Sequence, residues 1–137
     1  MSPARFLLIE DDADHAALIC SAISQSGLDC EVVHASSGEA GLNILRQENA
    51  LKPNVLLLDI NLSGMGGLQV LEVIKADPTL NDLPVVMLTT SIAAADLDSA
   101  YRNHVNSFVV KPTDYAEMKR VMLAIARYWS TVNTQFE

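Results

Sequence analysis

An apolar run that ends on an acid lies near the middle of the chain. Residues 54–67 read NVLLLDINLSGMGG, in which the four apolar residues Val55 to Leu58 precede Asp59. A carboxylate at the edge of an apolar core is costly unless it is paired or put to use. The stretch alone also fits a strand whose last residue turns to water, so a function for Asp59 needs support from elsewhere in the chain.

Polar residues also end three other apolar runs. These endings are Glu10-Asp11-Asp12, Thr89-Thr90-Ser91 and Lys111-Pro112. Because the carboxyl ends of parallel strands lie along one edge of a sheet, we expect these groups to meet around Asp59. Neighbouring carboxylates repel each other, and a hard divalent ion such as Mg²⁺ or Mn²⁺ suits an all-oxygen site of this kind.

The chemistry that this set of groups favours is phosphoryl transfer. A divalent ion, the ammonium group of Lys111 and the hydroxyl group of Thr89 could together neutralise the charge of a phosphoryl group. Asp59 would then be the nucleophile and would form an acyl phosphate.

The elements that must position these residues alternate along the chain. Apolar, β-branched runs predict five strands, at residues 5–10, 30–35, 54–59, 84–89 and 107–111. Helical periodicity predicts five helices, within residues 13–26, 36–49, 67–78, 91–104 and 114–129. Ser36-x-x-Glu39 and Asp114-x-x-Glu117 fit the capping box, and Ser91 is a candidate N-cap.

This alternation predicts an α/β fold. Strands that are apolar throughout and joined through helices form a parallel sheet that is covered on both faces. We therefore expect a doubly wound (βα)₅ unit with its site at the carboxyl ends of the strands. Since no repeat or internal linker interrupts the chain, residues 1–137 are expected to form a single domain.

Composition restricts the class of protein. The 137 residues include 17 acidic and 9 basic side chains, for a net charge of −8, and such a chain is not expected to bind nucleic acid directly. No apolar run approaches the ~18 residues of a membrane span. Cys20 and Cys30 form no metal or redox motif. Their spacing leaves a disulfide open, but they read as buried thiols, which favours the cytoplasm.

Four motifs, in their order and spacing, resemble the receiver domain of two-component response regulators. They are LLIEDD, LLLDINLSGMGG, LTTS and FVVKP, and the resemblance covers about residues 5–128, with 129–137 as a C-terminal extension. It implies a flavodoxin-like five-stranded sheet of order 2-1-3-4-5, Mg²⁺ or Mn²⁺ as cofactor, and a sensor histidine kinase as phosphoryl donor. The chain is then expected to be a stand-alone regulator, not a turnover enzyme acting on other substrates.

The resemblance assigns roles to individual residues. Asp59 would be the phosphoacceptor. Asp11 would bind the metal ion directly, Glu10 mainly through water, and Asn61 through its backbone carbonyl. Lys111 would hold a phosphoryl oxygen.

The resemblance also implies a switch pair, Thr89 and Phe108. The hydroxyl group of Thr89 would move toward the phosphoryl group, and the ring of Phe108 would turn inward. Many relatives carry Tyr in place of Phe108, so a contact through a ring hydroxyl is not available here. The bond between Lys111 and Pro112 would be cis.

Three other features near these motifs have simpler interpretations. Asp12 is interpreted as solvated or helix-capping, and His15 as an exposed helix residue. The glycines at positions 64, 66 and 67 do not fit a dinucleotide fingerprint and are interpreted as a flexible loop over the acceptor.

Aromatic residues crowd the end of the chain. Of seven, only Phe6 precedes residue 101, and core packing explains part of this. We also predict a partner surface containing Tyr101, Tyr128 and Trp129, and a homodimer, since symmetric pairs are the commonest assembly. The segments IARYWSTVNTQFE and RQENALKPN resemble regulators that partner phytochrome-type histidine kinases.

Three alternative functions are considered. An unphosphorylated interaction or scaffold receiver would use the fold without the chemistry. A metal-dependent phosphatase of the haloacid dehalogenase type would need an acid two residues after Asp59, where Asn61 cannot transfer a proton. A flavin binder would need a hydroxyl-rich phosphate loop after the first strand, where the acids from Glu10 to Asp12 would repel phosphate.

Overall fold

The computed structural model describes residues 3–48, 52–90 and 93–133. The strands β1 to β5 are Ala4–Ile9, Cys30–Ala35, Val55–Asp59, Val85–Thr89 and Ser107–Val110. The helices α1 to α5 are Ala13–Ser24, Gly38–Arg46, Gly67–Ala76, Ala94–Arg102 and Tyr115–Arg127. A π-helical turn, Tyr128–Val132, follows α5 directly.

The five strands form one parallel sheet in the order β2-β1-β3-β4-β5. The predicted fold class and strand order are therefore confirmed. β1 lies between β2 and β3, so that Leu8 pairs with His34 on one side and Leu57 on the other. This register brings the ends of β1 and β3 side by side, which places Glu10 and Asp59 at the same edge.

Two apolar layers cover the two faces of the sheet, because alternate strand residues point to opposite sides. The layer beneath α2, α3 and α4 contains Leu56 and Leu58 of β3. The layer beneath α1 and α5 contains Val55 and Leu57 of the same strand. All four side chains are completely buried, so the strand that carries Asp59 is held from both faces.

Side-chain caps fix the starts of the first and last helices. Asp12 precedes α1 and accepts hydrogen bonds from the backbone N–H groups of Asp14 and His15, at 2.9 and 3.1 Å. Asp114 precedes α5 and accepts one from the N–H group of Glu117 at 3.0 Å. Both residues cap as predicted, and each satisfies N–H groups that a helix leaves unpaired.

The cap of α2 lies one residue later than predicted. Ser37, in extended conformation, accepts a hydrogen bond from the N–H group of Ala40 at 3.1 Å, so the prediction of Ser36 is wrong. Both serines could cap a helix, but α2 begins at Gly38, directly after Ser37. The predicted cap Ser91 lies outside the described residues, and α4 begins at Ala94.

The thiols of Cys20 and Cys30 are free, and burial raises the pKa of both. The open question of a disulfide is thereby answered. No helix within the described ranges is long and apolar enough to cross a lipid bilayer.

Candidate functional site

Asp59 is the last residue of β3, and its side chain is almost completely buried. Its Oδ1 atom accepts a hydrogen bond from the backbone N–H group of Asn61 at 3.1 Å. The first residue of α3, Gly67, packs directly against the backbone of this strand end. A Cβ atom on Gly67 would lie 2.2 Å from the carbonyl oxygen of Asp59.

This close approach corrects the interpretation of the three glycines as one flexible loop. Gly67 belongs to α3 and has no room for a side chain. Gly64 has a φ of +71°, a conformation that L side chains rarely adopt. The two glycines therefore fix the path from β3 to α3 by different means, Gly67 through packing and Gly64 through backbone conformation.

Three carboxylates meet at this edge of the sheet, as predicted. Glu10, Asp11 and Asp59 each offer an oxygen atom, and these atoms all lie within 4.8 Å of one another. Glu10 is completely buried. Asp11 is more exposed, and its Oδ2 atom accepts a hydrogen bond from the N–H group of Ser63 at 2.8 Å, which ties the end of β1 to the loop after β3.

The surroundings of Glu10 and Asp11 shift the pKa values of these two acids in opposite directions. Burial, together with a hydrogen bond to Asp59, raises the pKa of Glu10 to about 7, although Lys111 opposes this change. The N–H group of Ser63 lowers the pKa of Asp11. Charge on Glu10 is therefore costly even beside Lys111, whereas charge on Asp11 is stabilised by the backbone.

Lys111 follows β5 and reaches both buried acids. Its side chain is 1% exposed, and its Nζ atom donates a hydrogen bond to Oε1 of Glu10 and lies 3.5 Å from Oδ2 of Asp59. Its backbone N–H group donates to the carbonyl oxygen of Thr89 at 2.6 Å. The predicted meeting of acids and ammonium group is present.

The peptide bond between Lys111 and Pro112 is trans, so the predicted cis bond is wrong. The trans form is the lower in free energy for most bonds to proline, by roughly 0.5–1 kcal/mol. Lys111 reaches both carboxylates from the trans backbone, so the contacts at the site do not require the rarer isomer.

Thr89 ends β4 beside the acids, and Phe108 lies farther out. The Thr89 side chain is buried, and its Oγ1 atom accepts a hydrogen bond from the side-chain amide of Asn61 at 3.4 Å. Phe108 is half-buried and packs against the apolar layer beneath α2, α3 and α4. The metal-ligand role of the Asn61 carbonyl and the switch roles of Thr89 and Phe108 stay predictions.

His15 belongs to the site, so its interpretation as an exposed helix residue is incomplete: it lies in α1 with a side chain that is 35% exposed, and its ring also contacts the cluster. Its Nδ1 atom lies 3.2 Å from Nζ of Lys111 and 3.8 Å from Oε1 of Glu10. A signal was available in the sequence: a cap at Asp12 makes His15 the third residue of α1, at the end of the helix that faces the acids.

The predicted partner residues divide into two kinds. Tyr101 is 51% exposed and Tyr128 is 47% exposed. Trp129 is half-buried and packs against the layer beneath α1 and α5. Its ring meets that of Tyr128 edge to face, with 5.2 Å between centroids and an interplanar angle of 84°. Packing therefore accounts for much of Trp129, and the two tyrosines are the more available at the surface.

The donor set at the edge fits a hard divalent cation. Carboxylate oxygens are the ligands that Mg²⁺ and Mn²⁺ favour, and two of the three acids are buried together. Within the part of the chain that the structure describes, this is the one group of three metal-ligating side chains within such distances.

Similarity to known proteins agrees with this geometry. The family model of the response regulator receiver domain matches residues 6–123. The response regulator Rcp1 of Synechocystis sp. is 34% identical over 131 residues, which cover 93% of this chain and 89% of that protein. The probable methanogenesis regulatory protein FilR2 of Methanothrix harundinacea is 38% identical over 130 residues, covering 93% and 84%.

Two solved structures share the fold over nearly their whole length. The Mn²⁺-bound form of Rcp1 has a TM-score of 0.92 and 32% identity, with 98% of this chain and all of that one covered. The phosphorylated cyanobacterial phytochrome response regulator RcpA has a TM-score of 0.93 and 34% identity, with 99% and 100% covered. The resemblance read from the four motifs is confirmed, and the chain belongs to the family of response regulator receiver domains.

Proposed function

We propose that this receiver accepts a phosphoryl group on Asp59 from a sensor histidine kinase, in a reaction that requires Mg²⁺ or Mn²⁺. The observation that carries this function is the meeting of Glu10, Asp11 and Asp59 with the ammonium group of Lys111 at one edge. Membership of the receiver family argues against the phosphatase and flavin-binding alternatives.

The metal ion would be held by oxygen atoms of Asp11 and Asp59 and by the backbone carbonyl of Asn61, with Glu10 acting mainly through water. When bound, it would neutralise charge on the acids and on the incoming phosphoryl group. The relative Rcp1 has a Mn²⁺-bound form, which supports the choice of ion. Asp11 offers an ionised oxygen at the solvent side of the cluster, while Glu10 lies deeper.

The residues of the chain would divide the work of transfer. An Oδ atom of Asp59 forms a bond to phosphorus as the bond between phosphorus and nitrogen of the donor phosphohistidine breaks. Lys111, 3.5 Å from Oδ2 of Asp59, is placed to hold a phosphoryl oxygen. The hydroxyl group of Thr89 would exchange its contact with Asn61 for one with the phosphoryl group.

The structural response to phosphorylation would be transmitted to the side of the domain where β5 is the edge strand. Movement of Thr89 would pull the segment between β4 and α4, and the ring of Phe108 would fill the space released. The surface formed by α4, β5 and α5 carries Tyr101 and Tyr128, and a homodimer through this surface is the proposed assembly.

A cytoplasmic, phytochrome-type histidine kinase is the proposed partner. RcpA, at 34% identity over nearly the whole chain, is a cyanobacterial phytochrome response regulator. The net charge of −8 makes direct binding to nucleic acid unfavourable, so a protein surface is the proposed output.

Intact-protein mass spectrometry after incubation with acetyl phosphate tests the central step. The parent protein should gain one phosphoryl group with Mg²⁺ and none with a chelator, and Asp59→Asn should gain none. Asp12→Asn is the matched control: asparagine caps a helix as well as aspartate, and Asp12 is not one of the clustered acids, so its labelling should equal that of the parent.

Full labelling of Asp59→Asn would refute the assignment of the acceptor. A folded parent that neither acetyl phosphate nor a histidine kinase can label would favour the alternative of an unphosphorylated scaffold receiver.

A further inference from the structure

The buried ammonium group of Lys111 has three N–H donors and no acceptor of its own. Three acceptors from three other parts of the chain surround it: Oε1 of Glu10, Oδ2 of Asp59 at 3.5 Å, and Nδ1 of His15 at 3.2 Å. The first two are carboxylates of the acidic cluster, and the third is an imidazole.

The contact with Lys111 selects one tautomer of a neutral His15 ring. Because an ammonium group can only donate, a neutral imidazole meets it with the lone pair of Nδ1, and the ring proton is then on Nε2. The backbone of His15 is itself held, since its N–H group donates to Oδ1 of Asp12 at 3.1 Å. The acceptor is therefore aimed at Lys111 by the first turn of α1.

The three acceptors are not equivalent once the proposed function is considered. A divalent ion would engage the carboxylate of Asp59 directly and that of Glu10 mainly through water, and these two carboxylates are the partners that now hold Lys111. Mg²⁺ prefers oxygen ligands to imidazole, so His15 is the acceptor that stays available to the ammonium group. A buried ammonium group without an acceptor would be costly.

We propose that His15 is a positioning residue that keeps the ammonium group of Lys111 at the site through metal loading and phosphoryl transfer. His15 Nδ1 retains one N–H of Lys111 when the carboxylates turn to the metal ion, which leaves another N–H free to meet a phosphoryl oxygen. The contribution to transfer rests on the proposed function, whereas the contact between His15 and Lys111 does not.

Two substitutions distinguish the role of Nδ1 as a hydrogen-bond acceptor from the packing of the His15 ring. His15→Leu removes the lone pair and keeps an apolar side chain of similar reach. His15→Asn offers an amide oxygen close to the position of Nδ1. Because the side chain of His15 is 35% exposed, neither change should unfold the protein, and a thermal melt of each variant checks this.

The first measurement is the initial rate of Asp59 labelling by acetyl phosphate at limiting Mg²⁺. His15→Leu should be slower than the parent by about three- to tenfold, as expected for loss of one hydrogen bond, and His15→Asn should recover most of the rate. The second measurement, by NMR on ¹⁵N-lysine protein with Mg²⁺ and without phosphate, follows the ammonium signal of Lys111. Protection of that signal from exchange should be lost in His15→Leu and regained in His15→Asn.

Equal rates and equal protection in the parent and His15→Leu would overturn the inference. Equal losses in both variants would also overturn it, because packing rather than the lone pair would then be responsible. A parent that is never labelled would refute the proposed function alone, since the Lys111 signal still decides whether His15 holds the ammonium group.

Discussion

The helix α3, which follows the strand of Asp59, is much more deeply buried than the helix α4, which follows the strand of Thr89. Over its ten residues, α3 buries Gly67, Val70, Leu71 and Ile74. The nine residues of α4, all of them described, bury Ala100 alone. The strands that precede the two helices, β3 and β4, are both buried throughout. The edge strand β5, which lies beyond β4, has no fully buried residue.

This difference suggests a division of labour within one small domain. The acids and Asp59 lie on the part of the fold in which most side chains are packed, so the geometry needed for chemistry is held rigidly. The side of α4 and β5 has little buried area to lose, and local rearrangement there is comparatively cheap. A response to phosphorylation is therefore expected at α4 and β5, with β3 and α3 as the fixed reference.

A matched pair of truncations tests the comparison most strongly. Ile74→Ala in α3 removes a completely buried side chain and should lower the free energy of unfolding by about 3–4 kcal/mol. Leu97→Ala in α4 removes the same number of carbon atoms from a half-buried position and should cost about 1 kcal/mol. Urea unfolding monitored by circular dichroism measures both.

Similar decreases in the free energy of unfolding for Ile74→Ala and Leu97→Ala would contradict the proposed difference between the two sides of the domain. The comparison would be sharpened by phosphorylation assays on both, because Leu97→Ala should alter any phosphate-dependent change at the surface without altering the rate of labelling.

The second prediction uses the titration of the buried site. The pKa of Glu10 is about 7 in the folded protein and 4.5 ordinarily, so the folded state binds this proton more tightly than the unfolded state. Its stabilising contribution is complete below pH 4.5 and is lost as the pH rises through about 7. Without metal, unfolding free energy should therefore fall from pH 5 to pH 8, by on the order of 2–3 kcal/mol.

Denaturant titrations across this pH range, with and without Mg²⁺, measure the effect. Mg²⁺ should stabilise the protein more at pH 8 than at pH 5, because the ionised acids repel each other and bind the ion. Glu10→Gln should show a flatter pH dependence without metal. Asp11 should not add to this pH dependence. Because its pKa is lowered in the folded protein, its effect on the free energy of unfolding is confined to more acidic solutions. A parent whose stability rises from pH 5 to pH 8 would contradict this account.

The sequence was sufficient to predict the elements and most of the site, for identifiable physical reasons. The strands are apolar throughout, so Asp59, Glu10 and Lys111 stand out as polar strand ends, and the parallel order brings them together. Asp12 was predicted to be either solvated or helix-capping, and the structure shows the cap.

The wrong or incomplete predictions involve choices that neighbouring residues do not determine. Ser36 and Ser37 are equally good caps, and only the packing of α2 selects between them. The isomer of the bond between Lys111 and Pro112 depends on a small difference in free energy. The contact between His15 and Lys111 joins residues 96 positions apart, and it follows only once α1 and the end of β5 are placed together.

The packing of Trp129 was available from helical periodicity. Trp129 follows Ile125 by four residues and Met122 by seven, so it continues the buried face of α5. The π-helical turn that begins at Tyr128 was not predicted. Trp129 packs inward, while Tyr128 stays exposed.

The last prediction has the smallest effect on stability. It concerns only the side of the domain formed by α4 and β5, where few side chains are buried. If α4, β5 and α5 form the surface of a homodimer, Tyr101→Ala should weaken association by about tenfold, as for an aromatic residue within an interface. Because Tyr101 is 51% exposed, the variant should unfold within about 0.5 kcal/mol of the parent. Trp129→Ala is less specific, since it removes packing as well. Sedimentation with and without acetyl phosphate measures association. A strict monomer under every condition would contradict the dimer, and a dimer unaffected by Tyr101→Ala would place its interface on another surface.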